Sequence, residues 1–215
     1  MESRRLKDAL VTAMLPHAAF DGWTGATLTA AAAELDLDPI LLGNLFPGGA
    51  ADAVCHLVDH ANRLMAEDLA ALGLDGRGVG EKVFLAVKCR LQRWDDHREA
   101  IRRAASLLAL PPNLALAAKL TWGTSDSIWT AIGDTSHDFS WYTKRATLAA
   151  VYSATLLYWL DDTSEGSEET WAFLRRRLAD IRSLPQLRQK LEGMTSGRKA
   201  ALGGLAQRFR SPTMR

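Results

Sequence analysis

Apolar residues in this chain recur at three- and four-residue steps, and alternation with a period of two is nearly absent, which predicts helices throughout. Breaks fall at Pro16, Gly22–Gly25, Asp38–Pro39, Pro47–Gly49, Gly73–Gly80, Pro111–Pro112, Gly133–His137, Thr163–Gly166 and Pro185. Such punctuation divides the sequence into about nine or ten helices with short connections. The string VFLAVKC at 83–89 has a strand-like composition, but EK before it and RLQRW after it continue the helical spacing. The expected class is all-α.

The most informative stretch is Asp138–Leu160. Its first third is crowded with Asp138, Trp141, Tyr142, Lys144 and Arg145, whereas the 15 residues from Ala146 to Leu160 carry no charge. On a helix, Trp141, Tyr142 and Arg145 share one side. Leu148, Val151, Tyr152, Thr155 and Trp159 then recur as a buried stripe would. The uncharged run is shorter than the roughly 20 residues that span a bilayer, so burial in protein is the expectation. Trp122 and Trp129 stand about two turns apart with Gly123, Ser125 and Ser127 between them, a pattern in which small residues leave room beside large rings.

The first helices have a recognisable rhythm: Thr27–Leu35, a turn at Asp36–Asp38, Ile40–Phe46, a Pro-Gly-Gly break, and a long helix from Ala50 to Leu72. This resembles the head of TetR-type regulators, where a helix-turn-helix precedes a helical ligand-binding domain. A DNA reader needs base-edge donors and phosphate-binding cations on its second helix. Here PILLGNLF offers only Asn44, and from Asp8 to Asn62 there are seven acids and no Lys or Arg. Duplex DNA is a polyanion held largely through Lys and Arg, so this head is expected to be repelled by it. The domain reading is a vestigial helix-turn-helix head with its connecting helix at 1–72, a helical ligand domain at 73–185, and a basic tail at 186–215.

At 215 residues, 47% hydrophobic and 24% charged, the composition suits a globular unit with a core. The net charge of +1 hides an uneven distribution, because residues 171–215 hold eleven bases against two acids. Cys55 and Cys89 offer no disulfide framework. Asp52, Cys55, His56, Asp59 and His60 could share a helical face and are plausible zinc-ligand types. No HExxH motif accompanies them, and a polar face at an interhelix contact is the preferred explanation. Neither a Glu-x-x-His pair, nor a Gly-x-Ser-x-Gly elbow, nor a phosphate-cradling glycine loop occurs, so neither a catalytic group nor a cofactor is expected.

Four strings in register, HAAFDGWTGATL at 17–28, REAIRRAASLLALPPN at 98–113, DFSWYTKRA at 138–146 and TWAFLRRRL at 170–178, resemble the family of the ninth Coq protein, the lipid-binding accessory factor of ubiquinone biosynthesis. The resemblance implies a TetR-like fold and no catalysis by the chain itself. It further implies an isoprenoid or phospholipid ligand in an apolar cavity, for which the residues singled out by their spacing, Trp122, Trp129, Leu148, Val151, Tyr152, Thr155 and Trp159, are the expected lining. Asp138, Trp141, Tyr142, Lys144 and Arg145 occupy the positions at which the family docks a di-iron quinone hydroxylase, with Ser140 and Lys144 as mild departures. A homodimer is expected by analogy with the TetR scaffold. The alternative with the same fold is a ligand-responsive transcription regulator, against which the acid-only head argues.

In the tail, Leu202, Leu205 and Phe209 form a narrow apolar stripe flanked by Arg198, Lys199, Arg208 and Arg210. Such a stripe suits an anionic membrane surface, and the resembled family carries a membrane-contacting C-terminal helix. The N-terminus MESRRLKDALVTAML lacks a signal-peptide core. The expected location is therefore a bacterial cytoplasm, peripheral on the inner face of the membrane.

Overall fold

In the computed structural model, residues 2–135 and 139–181 are described. They contain no strand and form α1 (Glu2–Asp21), α2 (Gly25–Glu34), α3 (Pro39–Leu45), α4 (Ala50–Leu72), α5 (Val79–Gln92), α6 (Arg98–Leu108), α7 (Leu114–Ala131), α8 (Phe139–Asp161) and α9 (168–181). Asp138 and the tail residues Arg198, Lys199, Leu202, Leu205, Arg208 and Phe209 lie outside the described residues. The chain divides into two units, Met1–Leu174 and Arg175–Arg215. In the second, Arg177 pairs with Asp180 at 3.2 Å.

Local chemistry sets the element boundaries in the head. Thr24 caps α2 in a reciprocal box, its hydroxyl accepting from the Thr27 N–H while the Thr27 hydroxyl accepts from the Thr24 N–H. Asp38 caps α3 by accepting from the Ile40 N–H at 2.8 Å, and Pro39 follows at a helix-start position where its missing donor costs nothing. Gly49, at φ +63°, supplies the left-handed residue from which α4 departs. The helix-turn-helix therefore forms as the rhythm of the sequence predicts.

The long α4 is central. It packs on α1, α5 and α7, while α1 also packs on α2 and α6, and α7 on α8. Fully buried Leu10, Met14 and Leu15 of α1, Met65 and Leu69 of α4, Leu91 of α5, Ile128 of α7 and Trp159 of α8 make the core. The Trp23 indole N–H donates to the Ala100 carbonyl at 2.8 Å, fastening the head to α6.

The polar face of α4 also has a structural partner. His56 lies 2.7 Å and His60 3.4 Å from the Asp8 carboxylate on α1, which Arg63 also contacts. Burial works against this carboxylate, yet the hydrogen bonds from His56 and Arg63 hold it below its ordinary value. Asp52 instead accepts from the Gly48 N–H at 2.6 Å. Cys55 and Cys89 are both free thiols, each pushed up by burial.

Asp162 organises the turn into α9. It accepts from the N–H and hydroxyl of both Ser164 and Thr170, at 2.5–2.8 Å. Burial pushes this carboxyl up, but those hydrogen bonds prevail and hold it down at about 2.

Candidate functional site

The start of α8 carries the aromatic and cationic residues singled out in the sequence, and the fold sends them in different directions. Tyr142 is 62% exposed and meets the Trp141 ring edge-on at 4.7 Å. Trp141 is half-buried and leans on Trp122 of α7, with ring centroids 5.8 Å apart. Arg145 is not a surface cation. At 3% exposure it runs beneath Trp141, its guanidinium 4.0 Å from the ring centroid. Its Nε donates to Asp126 at 2.5 Å and its Nη1 to Asp134 at 3.4 Å. The Arg145 carbonyl in turn accepts from the Ser125 hydroxyl at 2.8 Å.

Lys144 reaches the other oxygen of Asp134 at 2.7 Å and lies over the Trp129 ring at 5.3 Å. Asp134 is thus a shared anchor for two cations. Ion pairs of this kind, with hydrogen bonds to every partner, hold side chains in one geometry. The result is an exposed aromatic step, Trp141–Tyr142, braced from below by α7. Trp122 and Trp129 belong to that brace.

The apolar half of α8 lies inward. Leu148, Val151, Tyr152, Thr155 and Trp159 are all buried, as their spacing predicts. A cavity of about 50 Å³ sits between α4, α5, α6 and α8, lined by Ala61, Arg90, Trp94, Ile101, Tyr152 and Trp159 among others. Of the lipid-site residues expected from the sequence, Tyr152 and Trp159 line it, and Trp122, Trp129, Leu148, Val151 and Thr155 do not. The volume is far below the roughly 300 Å³ at which small-molecule pockets begin.

Two lining residues were missed from the sequence. Arg90 is 6% exposed, donates to Asn62 at 2.8 Å and Thr124 at 3.4 Å, and lies 5.2 Å from the Tyr152 ring centroid. No carboxylate pairs with it among the described residues. The Trp94 indole N–H is buried without an acceptor there. A buried cation and a buried orphan donor are costly unless something accepts from them. The signal in the sequence was an Arg set inside the otherwise apolar face of VFLAVKCRLQRW.

Among the described residues, no cluster of His, Cys, Asp and Glu is arranged to hold a metal ion, and no helix is long and apolar enough to cross a membrane.

Comparison with known proteins places these features in a family. Residues 114–185, which include α7 and α8, match the COQ9 family model. Human mitochondrial ubiquinone biosynthesis protein COQ9 is 30% identical across 97% of this chain and 68% of its own length. The Xenopus laevis protein COQ9-B is 31% identical over 84% of this chain and 64% of its own length, and the probable Dictyostelium discoideum protein is 34% identical over 74% and 54%. The chain thus spans between about half and two-thirds of the length of these relatives. A TetR transcriptional regulator from Nitrosomonas europaea superposes with a TM-score of 0.67 over 81% of this chain and 97% of its own, at 20% identity, which establishes the TetR-like fold. Matched over 97% of its own residues and two-thirds of the human protein at 30% identity, this chain is a member of the COQ9 family.

Proposed function

We propose that the protein is a non-catalytic accessory factor of ubiquinone biosynthesis that binds an isoprenoid or quinone-type lipid and presents it to a membrane-associated di-iron hydroxylase. The names of its relatives supply the pathway, and the exposed step of Trp141 and Tyr142 carries the partner assignment. An aromatic pair held half-open by a buried Arg145 is expensive to leave in water and well prepared for a protein surface, because its side chains are ordered before binding.

The lipid assignment is supported by Arg90 and Trp94, whose donors border an apolar cavity and suit the oxygen atoms of a quinone or phenol head group. Opening of α8 would admit the chain of the lipid behind that head. Leu202, Leu205 and Phe209, with Arg198, Lys199 and Arg208, would hold the protein on an anionic leaflet, in a bacterial cell the inner face of the cytoplasmic membrane. By analogy with its scaffold the protein would act as a homodimer, with its ligand domain at 73–185.

The experiment is co-purification with the di-iron hydroxylase of the same organism. Trp141→Ala and Tyr142→Ala should each weaken the complex by about 2 kcal/mol, roughly thirtyfold. Undiminished capture of the hydroxylase by the double variant would remove the partner assignment.

A further inference from the structure

Between α6 and α7 the chain turns a corner through Leu110, Pro111, Pro112 and Asn113. The 15 residues from Ala104 to Ala118 carry no charge. Leu110 is 51% and Leu114 55% exposed, and Ala109, Pro111, Pro112 and Ala115 are exposed around them. A lone exposed leucine needs no explanation, but this corner has a second property. Four of its backbone donors are bonded within the turn. Ala109 donates to Ala105 at 2.9 Å, Leu110 to Leu107 at 3.3 Å and Asn113 to Leu110 at 2.8 Å, while Leu114 donates to Pro111. Pro111 and Pro112 have no N–H to satisfy. The Asn113 side-chain amide closes the turn by donating to the Leu107 carbonyl at 2.8 Å.

Water tolerates free backbone donors on a loop, whereas hydrocarbon does not. A turn that is neutral, apolar and has these N–H groups already bonded suits contact with lipid, whereas a protein partner could supply acceptors of its own. Charge returns at its borders in the sequence, with Arg103 before the neutral run and exposed Lys119 on α7 after it, and a cation beside an apolar turn suits an anionic leaflet. We propose that the α6–α7 corner dips Leu110 and Leu114 into the interfacial layer of a bilayer, as a membrane contact separate from residues 198–209. This goes beyond the proposed function, whose membrane contact lies in the tail.

The test uses the full chain and vesicles of phosphatidylcholine and phosphatidylglycerol. An environment-sensitive dye on Leu110→Cys, with Cys55 and Cys89 replaced by serine, should shift to the blue on vesicles and be quenched by brominated acyl chains. The same dye on Leu72→Cys, at the exposed end of α4, should do neither. In about 0.5 M salt, where the cations of the tail are screened, a Leu110→Ser/Leu114→Ser variant with its native cysteines should float with vesicles roughly tenfold less than wild type. Both leucines are half out of the protein, so this variant keeps its fold, which a thermal melt checks. A dye at 110 that stays aqueous on floated protein, a dye at 72 that shifts equally, or equal flotation of the serine variant would overturn the inference. So would a chain that does not float at all, or a dye at 110 that shifts with protein concentration in the absence of lipid, which would make the corner a contact between copies.

Discussion

Arg145 and Tyr142 are three residues apart, yet their substitution should have opposite consequences. Arg145→Leu removes a guanidinium that is bonded to two carboxylates and stacked under Trp141, at a cost of about 3 kcal/mol in folding stability. Tyr142→Ala trims a side chain that is mostly in water and should change stability by no more than about 0.5 kcal/mol. Thermal unfolding of the two variants separates them, and a large loss from Tyr142→Ala would mean that the step is core. Asp162 makes a second prediction at this scale. Its carboxyl titrates near 3.8 in an unfolded chain and at about 2 in the folded one. Between these values the unfolded chain binds a proton that the folded chain does not. The stabilisation of about 2 kcal/mol is therefore complete above about pH 5 and lost as the pH falls through 2. Urea unfolding at a series of pH values should show that loss in the wild type and not in Asp162→Asn. The sequence revealed which residues gather at the start of α8 but not which way they point. Arg145 turns inward because Asp126 arrives from α7 and Asp134 from the turn that follows it, a tertiary meeting that no local spacing encodes.

Helix boundaries in the head were legible because capping is local chemistry. Asp38–Pro39 announces α3, and Gly49 announces the 23 residues of α4 that the apolar spacing had already outlined. Thr24→Ala, which removes the hydroxyl side of the capping box on α2, should lower stability by about 1 kcal/mol in denaturant titration. What the head does is a matter of charge. Ile40 is 77% and Leu41 42% exposed on the helix that a regulator would lay in the major groove, with no Lys or Arg from Asp8 to Asn62. Sequence-selective retention of duplex DNA at about 0.15 M salt is therefore not expected, and a gel shift that mapped to residues 27–46 would favour the regulator reading instead. The binding half of the molecule was less legible. The buried stripe on α8 followed from its three- and four-residue spacing, but a stripe packed in a core and a stripe lining a pocket have the same period. Only the packed structure separates Tyr152 and Trp159, which border the cavity, from Trp122 and Trp129, which brace the aromatic step.

In the molecule as a whole, a TetR-like scaffold carries an α8 with two distinct parts, the Trp141–Tyr142 step at its start and a cavity wall of Tyr152, Leu156 and Trp159 further along, to which the proposed function gives a docking and a lipid-binding role. Arg90 and Trp94 bring N–H donors to the lining of the cavity, and neither has an acidic partner among the described residues. Arg90→Met keeps the apolar volume but leaves the buried Asn62 and Thr124 oxygens without their donor, so it should fold with a loss of about 1–3 kcal/mol, which a thermal melt checks, while retaining less lipid. The central claim is that the helical domain holds a quinone-type or isoprenoid lipid. Its most direct test is mass spectrometry of the organic extract of the protein purified from a ubiquinone-producing bacterium. The expected result is an isoprenoid-bearing lipid in near-equal proportion to protein, reduced severalfold in Arg90→Met. An extract with no such lipid from well-folded wild-type protein would contradict it.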